Sequence, residues 1–225
     1  MVNLIIIPAR KGSTGVKNKN TRMFCGTPLV EHTLKMCKKI KIKEKITMVS
    51  SDCSKTLKIA KKYNFDHGYI RPQHLSTNKA NITDAAFHAI DWIEKKKGCV
   101  INNVLLLQPT SPLRKHTEVT SSFNFFIKQR LKSLVSVSPV IQSPYEMVSL
   151  SERKINFLMK NVGYRRQDYK KNFYFIDGSI YLASKEFLRK HKTFANKYSY
   201  PYLINTKYRV DIDDIEDFNV AQKLF

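Results

Sequence analysis

NLIIIPARKGSTGVKNKN, residues 3–20, changes character at Pro8, and that change sets the fold. Residues 3–7 (NLIII) are a short β-branched run bounded by proline, which reads as a buried strand. Residues 10–20 are polar, basic and glycine-containing, which reads as a loop. A strand apolar on both faces belongs to a sheet that is covered by helices on each side.

Outward from this stretch the alternation repeats. Pro28 opens a helix through Leu29, Leu34 and Ile40, since proline is tolerated in a first turn. Residues 46–50 (ITMVS) form the next strand. The spacing of Leu57, Ile59, Ala60 and Tyr63 predicts an amphipathic helix over 54–63. A third helix follows over 82–97, with Thr83 and Asp84 at its cap. Residues 103–107 (NVLLL) are a second fully apolar strand, then come a helix near 118–129 and a strand at 133–137. Strands alternating with helices predict an α/β chain in three layers around a mostly parallel sheet. From 139 to 175 the rhythm breaks into aromatics, Arg and Lys, with extended pieces at 146–150 and 154–158. That stretch reads as an arm inserted in one domain spanning 1–225. A strand at 178–183 (GSIYLA), a helix over 185–190 and a final helix after 211–214 complete the chain.

Composition bounds the function classes. The chain has 225 residues, 42% apolar and 26% charged, so it can bury a core and is not a disordered polymer. No apolar run approaches the roughly 20 residues that a membrane span needs. Residues 1–7 lack a basic leader and a cleavage site, so the cytoplasm is the expected compartment. Four cysteines without a Cys-x-x-Cys pair or a histidine at ligand spacing give zinc no support. The net charge of +22 would attract nucleic acid, nucleoside triphosphates or sugar acids. The dense basic patch at 35–45 lacks interleaved aromatics, and no zinc-finger or RNP signature accompanies it. This argues for a general attraction of anions over a nucleic-acid site, although a solvated lysine surface would give the same count.

In open α/β sheets ligands bind beyond the carboxyl ends of the strands. Residues 8–20, 50–52, 108–114 and 211–217 each follow a strand or its equivalent, so the fold would gather them at one rim. In the first, small residues let backbone N–H groups approach phosphate, while Arg10, Lys17 and Lys19 bring charge. It is neither a Walker loop nor GxGxxG, and a basic surface loop would share its composition. Asp211 and Asp213 alternate around Ile212, so an extended backbone turns both carboxylates to one side. Two hard oxygen ligands beside a triphosphate suit Mg²⁺ (or Mn²⁺). The competing reading is an acidic helix start, which suits Asp214 and Asp217 better.

IIIPARKGSTGVKNKN followed by TPLVEHTL resembles the opening of the acylneuraminate cytidylyltransferases, enzymes that activate sialic, legionaminic and pseudaminic acids. VLLLQPTSPLR (residues 104–114), YRRQD (164–168), GSIYLA and VDIDDIEDF (210–218) follow in that family's order, over essentially the whole chain. The resemblance implies a Rossmann-like nucleotidyltransferase fold with a small dimerisation arm, hence a homodimer. It implies that CTP and an acidic nine-carbon sugar are the substrates. Nucleotide binding would fall to Arg10, Ser13, Gly15, Lys19, Asn20, Thr77, Asn78 and Gln108, with Lys19 and Arg10 stabilising the pyrophosphate as it leaves. Gln108, Arg166, Gln167 and Asp177 would meet the sugar acid, Arg166 being suited to a bidentate carboxylate contact. Asp211 and Asp213 would hold the metal. The attacking group would be the anomeric hydroxyl, at the α-phosphorus. His32, His67, His74, His88, His116 and His191 are scattered, so none stands out as a base.

Three positions depart from the family pattern. Thr14 replaces a lysine, Asn78 an aspartate, and Asp177 the asparagine of Asn-Gly. A related enzyme for the eight-carbon acid Kdo, a nucleic-acid binder and a non-catalytic nucleotide sensor remain as alternatives.

Overall fold

The aliphatic run after the first residues is the pivot of the sheet. In chain order the elements are β1 (Val2–Pro8), β2 (Met23–Phe24), β3 (Thr27–Pro28), α1 (Leu29–Lys39), β4 (Lys45–Ser50), α2 (Ser54–Lys61), α3 (Ile82–Lys97), β5 (Ile101–Leu106), α4 (His116–Lys128), β6 (Ser133–Pro139), β7 (Val148–Ser151), β8 (Lys154–Phe157), β9 (Tyr174–Ser184), α5 (Lys185–His191), β10 (Tyr200–Leu203) and α6 (Ile215–Leu224). This is a computed structural model, and it describes residues 2–65, 68–159, 169, 171–204 and 209–225.

β1 pairs in parallel with β4 on one side and β5 on the other, giving a six-stranded sheet in the order β10-β6-β9-β5-β1-β4. β9 runs antiparallel to both its neighbours, β5 and β6, and the other pairings are parallel. Side chains alternate along β1. Ile5 and Ile7 face α1 and α4, packing with Val30, Leu34, Cys37, Phe123 and Phe126. Leu4 and Ile6 face α3 and α5, packing with Ala89, Ile90, Ile93 and Leu188. The three layers expected from the sequence follow from that alternation.

A third, smaller core lies at the carboxyl rim. Val16 of the first loop, Phe24, Leu29, Ile212, Phe218 and Ala221 pack together, so α6 and the basic loop share one apolar anchor. The helix starts also sort themselves. Asn81, not Thr83 or Asp84, caps α3, its side chain accepting from the Thr83 N–H at 2.8 Å. Asp214 caps α6 reciprocally with Asp217, as the acidic-helix reading expected of those two residues.

Two features lie outside the expected pattern. β10 contains Pro201 and pairs only with β6, because a proline strand is tolerated where its missing N–H faces no neighbour. β9 begins at Tyr174, inside the stretch read as an arm, and it is interrupted. Val135 pairs with Tyr181 but Val137 pairs with Ile176, so residues 177–180 of β9 face Ser136 alone. This extended bulge sits beside the acidic segment, and bulges are common near functional sites.

Candidate functional site

The loops after β1 and β4 are tied to one another by hydrogen bonds, and the loop after β5 to the acidic segment. The Ala9 N–H donates to the Ser50 carbonyl at 2.9 Å, and the Ser51 hydroxyl donates back to the Ala9 carbonyl at 2.5 Å. The Lys11 N–H donates to Asp52 Oδ1 at 2.7 Å, and Asn20 Nδ2 to the Arg10 carbonyl at 3.0 Å. The Ile212 N–H donates to the Thr110 carbonyl at 2.9 Å, which fixes the acidic segment against the loop after β5.

Lys19 closes the circle. It is buried, and its Nζ donates to the Ile212 carbonyl and, at 3.2 Å, to that of Asp213. Its ammonium lies 3.8 Å from Asp213 Oδ1. Gly15 abuts the same turn so closely that a Cβ there would fall 2.0 Å from the Asp213 carbonyl oxygen. The basic loop and the acidic segment therefore meet on one side of the sheet.

Between them lies a cavity of about 500 Å³, of the size that ligand sites occupy. Arg10, Ser13, Gly15, Lys19, Asn20, Thr77, Asn78, Gln108 and Asp213 all line it, so every residue expected to bind nucleotide is present. Thr14 and Asp214 line it too, and Leu75, Ala80 and Ile82 supply an apolar wall. Lys17 borders a separate hollow with Asp52. Asn78 accepts a 2.5 Å hydrogen bond from Arg10 Nη1, so the amide that replaces the family's aspartate orients the arginine without neutralising it.

The two carboxylates expected on one side are not equivalent: Asp213 lines the cavity, whereas Asp211 sits deeper and does not line it. Ile212 points into the rim core and Asp213 faces outward, while Asp211 is mostly enclosed, with Oδ1 buried and unpartnered. Burial pushes its carboxyl above the ordinary range, a hydrogen bond with Thr110 opposes that, and the neighbouring charge of Asp213 adds to it. Among the described residues no group of three or more His, Cys, Asp or Glu side chains could hold a metal alone. A cation here would need ligands from phosphate besides these carboxylates.

The other sugar-site expectations fare differently. Arg166 and Gln167 lie outside the described residues. Asp177 is placed apart from the cavity, 4% exposed and enclosed by protein donors. Gln108 is on the cavity wall, its carbonyl accepting from Arg114 Nη2 at 3.1 Å. Arg114 is buried and also donates from Nη1 to the Ser179 carbonyl at 2.6 Å, joining the loop after β5 to the bulge in β9.

The family model described as Cytidylyltransferase matches residues 4–224. The chain belongs to the cytidylyltransferase family. Its sequence is 30% identical to the CMP-N,N'-diacetyllegionaminic acid synthase of Legionella pneumophila, covering 98% of this chain and 95% of that protein. It is also 30% identical to the N-acylneuraminate cytidylyltransferase of Escherichia coli O18:K1:H7, over 97% of this chain but 51% of that protein. The chain thus spans about half the length of the E. coli relative. A solved structure of CMP:2-keto-3-deoxy-manno-octonic acid synthetase complexed with CTP matches the fold with a TM-score of 0.70, at 13% identity, covering 100% of this chain and 98% of that one.

One cavity residue of this cytidylyltransferase was not foreseen. Arg71 is 4% exposed, donates from Nε to Ser50 Oγ at 2.9 Å, and leaves Nη2 buried without a partner at the cavity wall. Its N–H donates to the Ser51 carbonyl, so it belongs to the loop network after β4. Nothing in its local sequence distinguishes it from the many surface cations, because its role depends on the distant Ser50.

Proposed function

We propose that this cytidylyltransferase transfers CMP from CTP to a nonulosonic acid of the sialic or legionaminic type and releases pyrophosphate. The observation that carries this reading is Lys19. Its ammonium binds the backbone of the acidic segment while lining the same cavity as Arg10 and Gln108. The names of the relatives support the acceptor class.

In this reading the apolar wall of Leu75, Ala80 and Ile82 receives the base, with Arg71 Nη2 and Gln108 as donors to its acceptors. Arg10, Ser13, the backbone at Gly15, Lys19 and Asn20 hold the triphosphate, with Thr77 and Asn78 at its edge. Two N–H bonds of Lys19 are spent on carbonyls, which fixes the ammonium and leaves its third for a phosphate oxygen. Lys19 and Arg10 stabilise charge as it moves onto pyrophosphate. Asp211 and Asp213 would hold Mg²⁺ or Mn²⁺, and the buried, unpartnered Oδ1 of Asp211 fits that task. The bound ion would withdraw charge from phosphate oxygens and favour deprotonation of the attacking hydroxyl. Arg166 and Gln167 are proposed to receive the sugar acid on the strength of the sequence motif.

The β7–β8 hairpin supports a homodimer. Leu150 is 79% exposed, Ile155 58% and Phe157 52%, an apolar surface suited to a second copy. The cytoplasm, where CTP is made, is the proposed compartment. No helix among the described residues is long and apolar enough to cross a membrane.

The test is pyrophosphate release from CTP and Mg²⁺ with a panel of nonulosonic acids and Kdo. Release with at least one nine-carbon acid is expected. Release with Kdo alone would move the assignment to the eight-carbon acid, and release with none would leave a nucleotide-binding protein.

A further inference from the structure

The bulge in β9 lies directly under the acidic segment, Gly178 meeting the Asp211 carboxylate. Where β9 leaves its ladder, Ser136 Oγ accepts the Ile180 N–H at 2.8 Å and donates to Asp177 Oδ1, replacing the missing strand bonds. The Ser179 N–H donates to the same oxygen at 3.0 Å. Asp177 Oδ2 accepts from the Ser138 hydroxyl at 2.5 Å and faces Arg209 Nη1 at 3.7 Å. Arg209 Nη1 also donates to Ser138 Oγ. Both carboxylate oxygens are thus committed inside the protein, and neither is left for a ligand.

What the bulge presents is Gly178. With φ of 73° and a would-be Cβ only 2.5 Å from Asp211 Oδ2, it forms the floor against which the Asp211 carboxylate rests. Arg209, two residues before Asp211, ties that segment back to the bulge through Asp177. The Arg209–Asp177 contact therefore links the floor to the segment that carries the carboxylate.

We propose that Asp177 and Arg209 are positioning residues that fix Asp211 for the divalent cation, and that Asp177 does not contact the sugar acid. This rests on the reading of Asp211 as a metal ligand. It also accounts for the departure at position 177, because a largely enclosed arginine facing that position is paired by a carboxylate, where an asparagine would leave the charge unpaired.

The test separates metal from nucleotide and sugar. CTP affinity is measured by calorimetry without metal and with saturating Mn²⁺, no acceptor being present, for wild type, Asp177→Asn and Arg209→Met. The expected result is that metal-free CTP affinity stays within about twofold in both variants. The factor by which Mn²⁺ tightens CTP binding should fall about tenfold, as expected for loss of a group that orients a metal ligand. The double variant should be no worse than either single one. An unchanged Mn²⁺ factor, or a rise confined to the KM for the sugar acid in Asp177→Asn, overturns the proposal. Should Asp177→Asn not fold, Arg209→Met carries the measurement, because it leaves the three other donors on Asp177. A wild type whose CTP binding tightens with Mn²⁺ but which releases no pyrophosphate would sink the transferase reading and leave this inference standing. A wild type with no Mn²⁺ effect would end it.

Discussion

The two halves of the sheet solve different problems. β4, β1 and β5 are parallel, buried on both faces, and send their loops to one rim, where Ala9, Ser50 and Ser51 lock the loops together. β6, β9 and β10 mix directions, tolerate Pro201 at an edge, and open β9 into a bulge held by side chains instead of a ladder. The loops of the first half line the cavity, and the bulge of the second half lies against Asp211 beside it. Substitutions should therefore act on nucleotide chemistry in the first half, and on metal geometry or assembly in the second.

The largest expected effect is at Lys19. Lys19→Met removes the cation that grips the acidic segment and is proposed to bind the phosphates. Its kcat/KM should fall by about 10²–10³-fold, the cost of losing one preorganised group at developing charge. Lys154→Met, in the exposed hairpin, should stay within about twofold. A loss under tenfold for Lys19→Met would break the contrast between the halves.

Next comes a pair of glycines in one loop. A Cβ on Gly15 would collide with the backbone of Asp213 at 2.0 Å, so the loop or the acidic turn must shift. Gly15→Ala should raise the KM for CTP by at least about tenfold, since small misplacements of an aligned site are costly. Gly12→Ala would meet only Arg10 Nη1 at 3.5 Å, an ordinary contact, and should cost clearly less than Gly15→Ala. Equal effects at the two positions would show that loop flexibility matters and the close approach does not.

The same contrast explains what could be read in advance. The run at residues 3–7, the loop to Asn20, the strand before Gln108 and the helix cap at Asp214 are local patterns, and the structure assembles them as expected. Arg71 escaped notice because its meaning lies in Ser50 and the cavity, not in its neighbours along the chain. Asp177 was legible as a departure, but not as a buried staple, because Ser136, Ser138 and Arg209 come from other segments. The antiparallel course of β9 is likewise set by the chain path through the hairpin, and an alternating strand pattern carries no direction. β10 was hidden by Pro201, whose tolerance depends on the strand being at an edge.

Assembly gives a third, selective effect. Leu150→Lys combined with Phe157→Lys places charge on the exposed apolar hairpin. Sedimentation should show a monomer where the parent chain is a dimer, with metal-free CTP affinity unchanged. A parent chain that is already monomeric would remove the proposed role of the arm.

The smallest effect tests the core of the first half. Cys37 in α1 is fully buried beneath the sheet, and burial pushes its thiol up from 9.0 to about 12, against the opposing charges of Arg114 and Lys45. Between those values the native state keeps a proton that the unfolded chain loses. Stability is thus intact below pH 9 and declines as pH rises toward 12, by about 1.4 kcal/mol for each unit crossed. Denaturant titrations from pH 8 to 10.5 should show that slope. Cys37→Ala should start less stable, because it leaves a small void, yet lose less with rising pH. Parallel slopes for the two proteins would mean that alkaline loss arises elsewhere, with Tyr69 and Tyr181, whose phenols burial also pushes up, as the source.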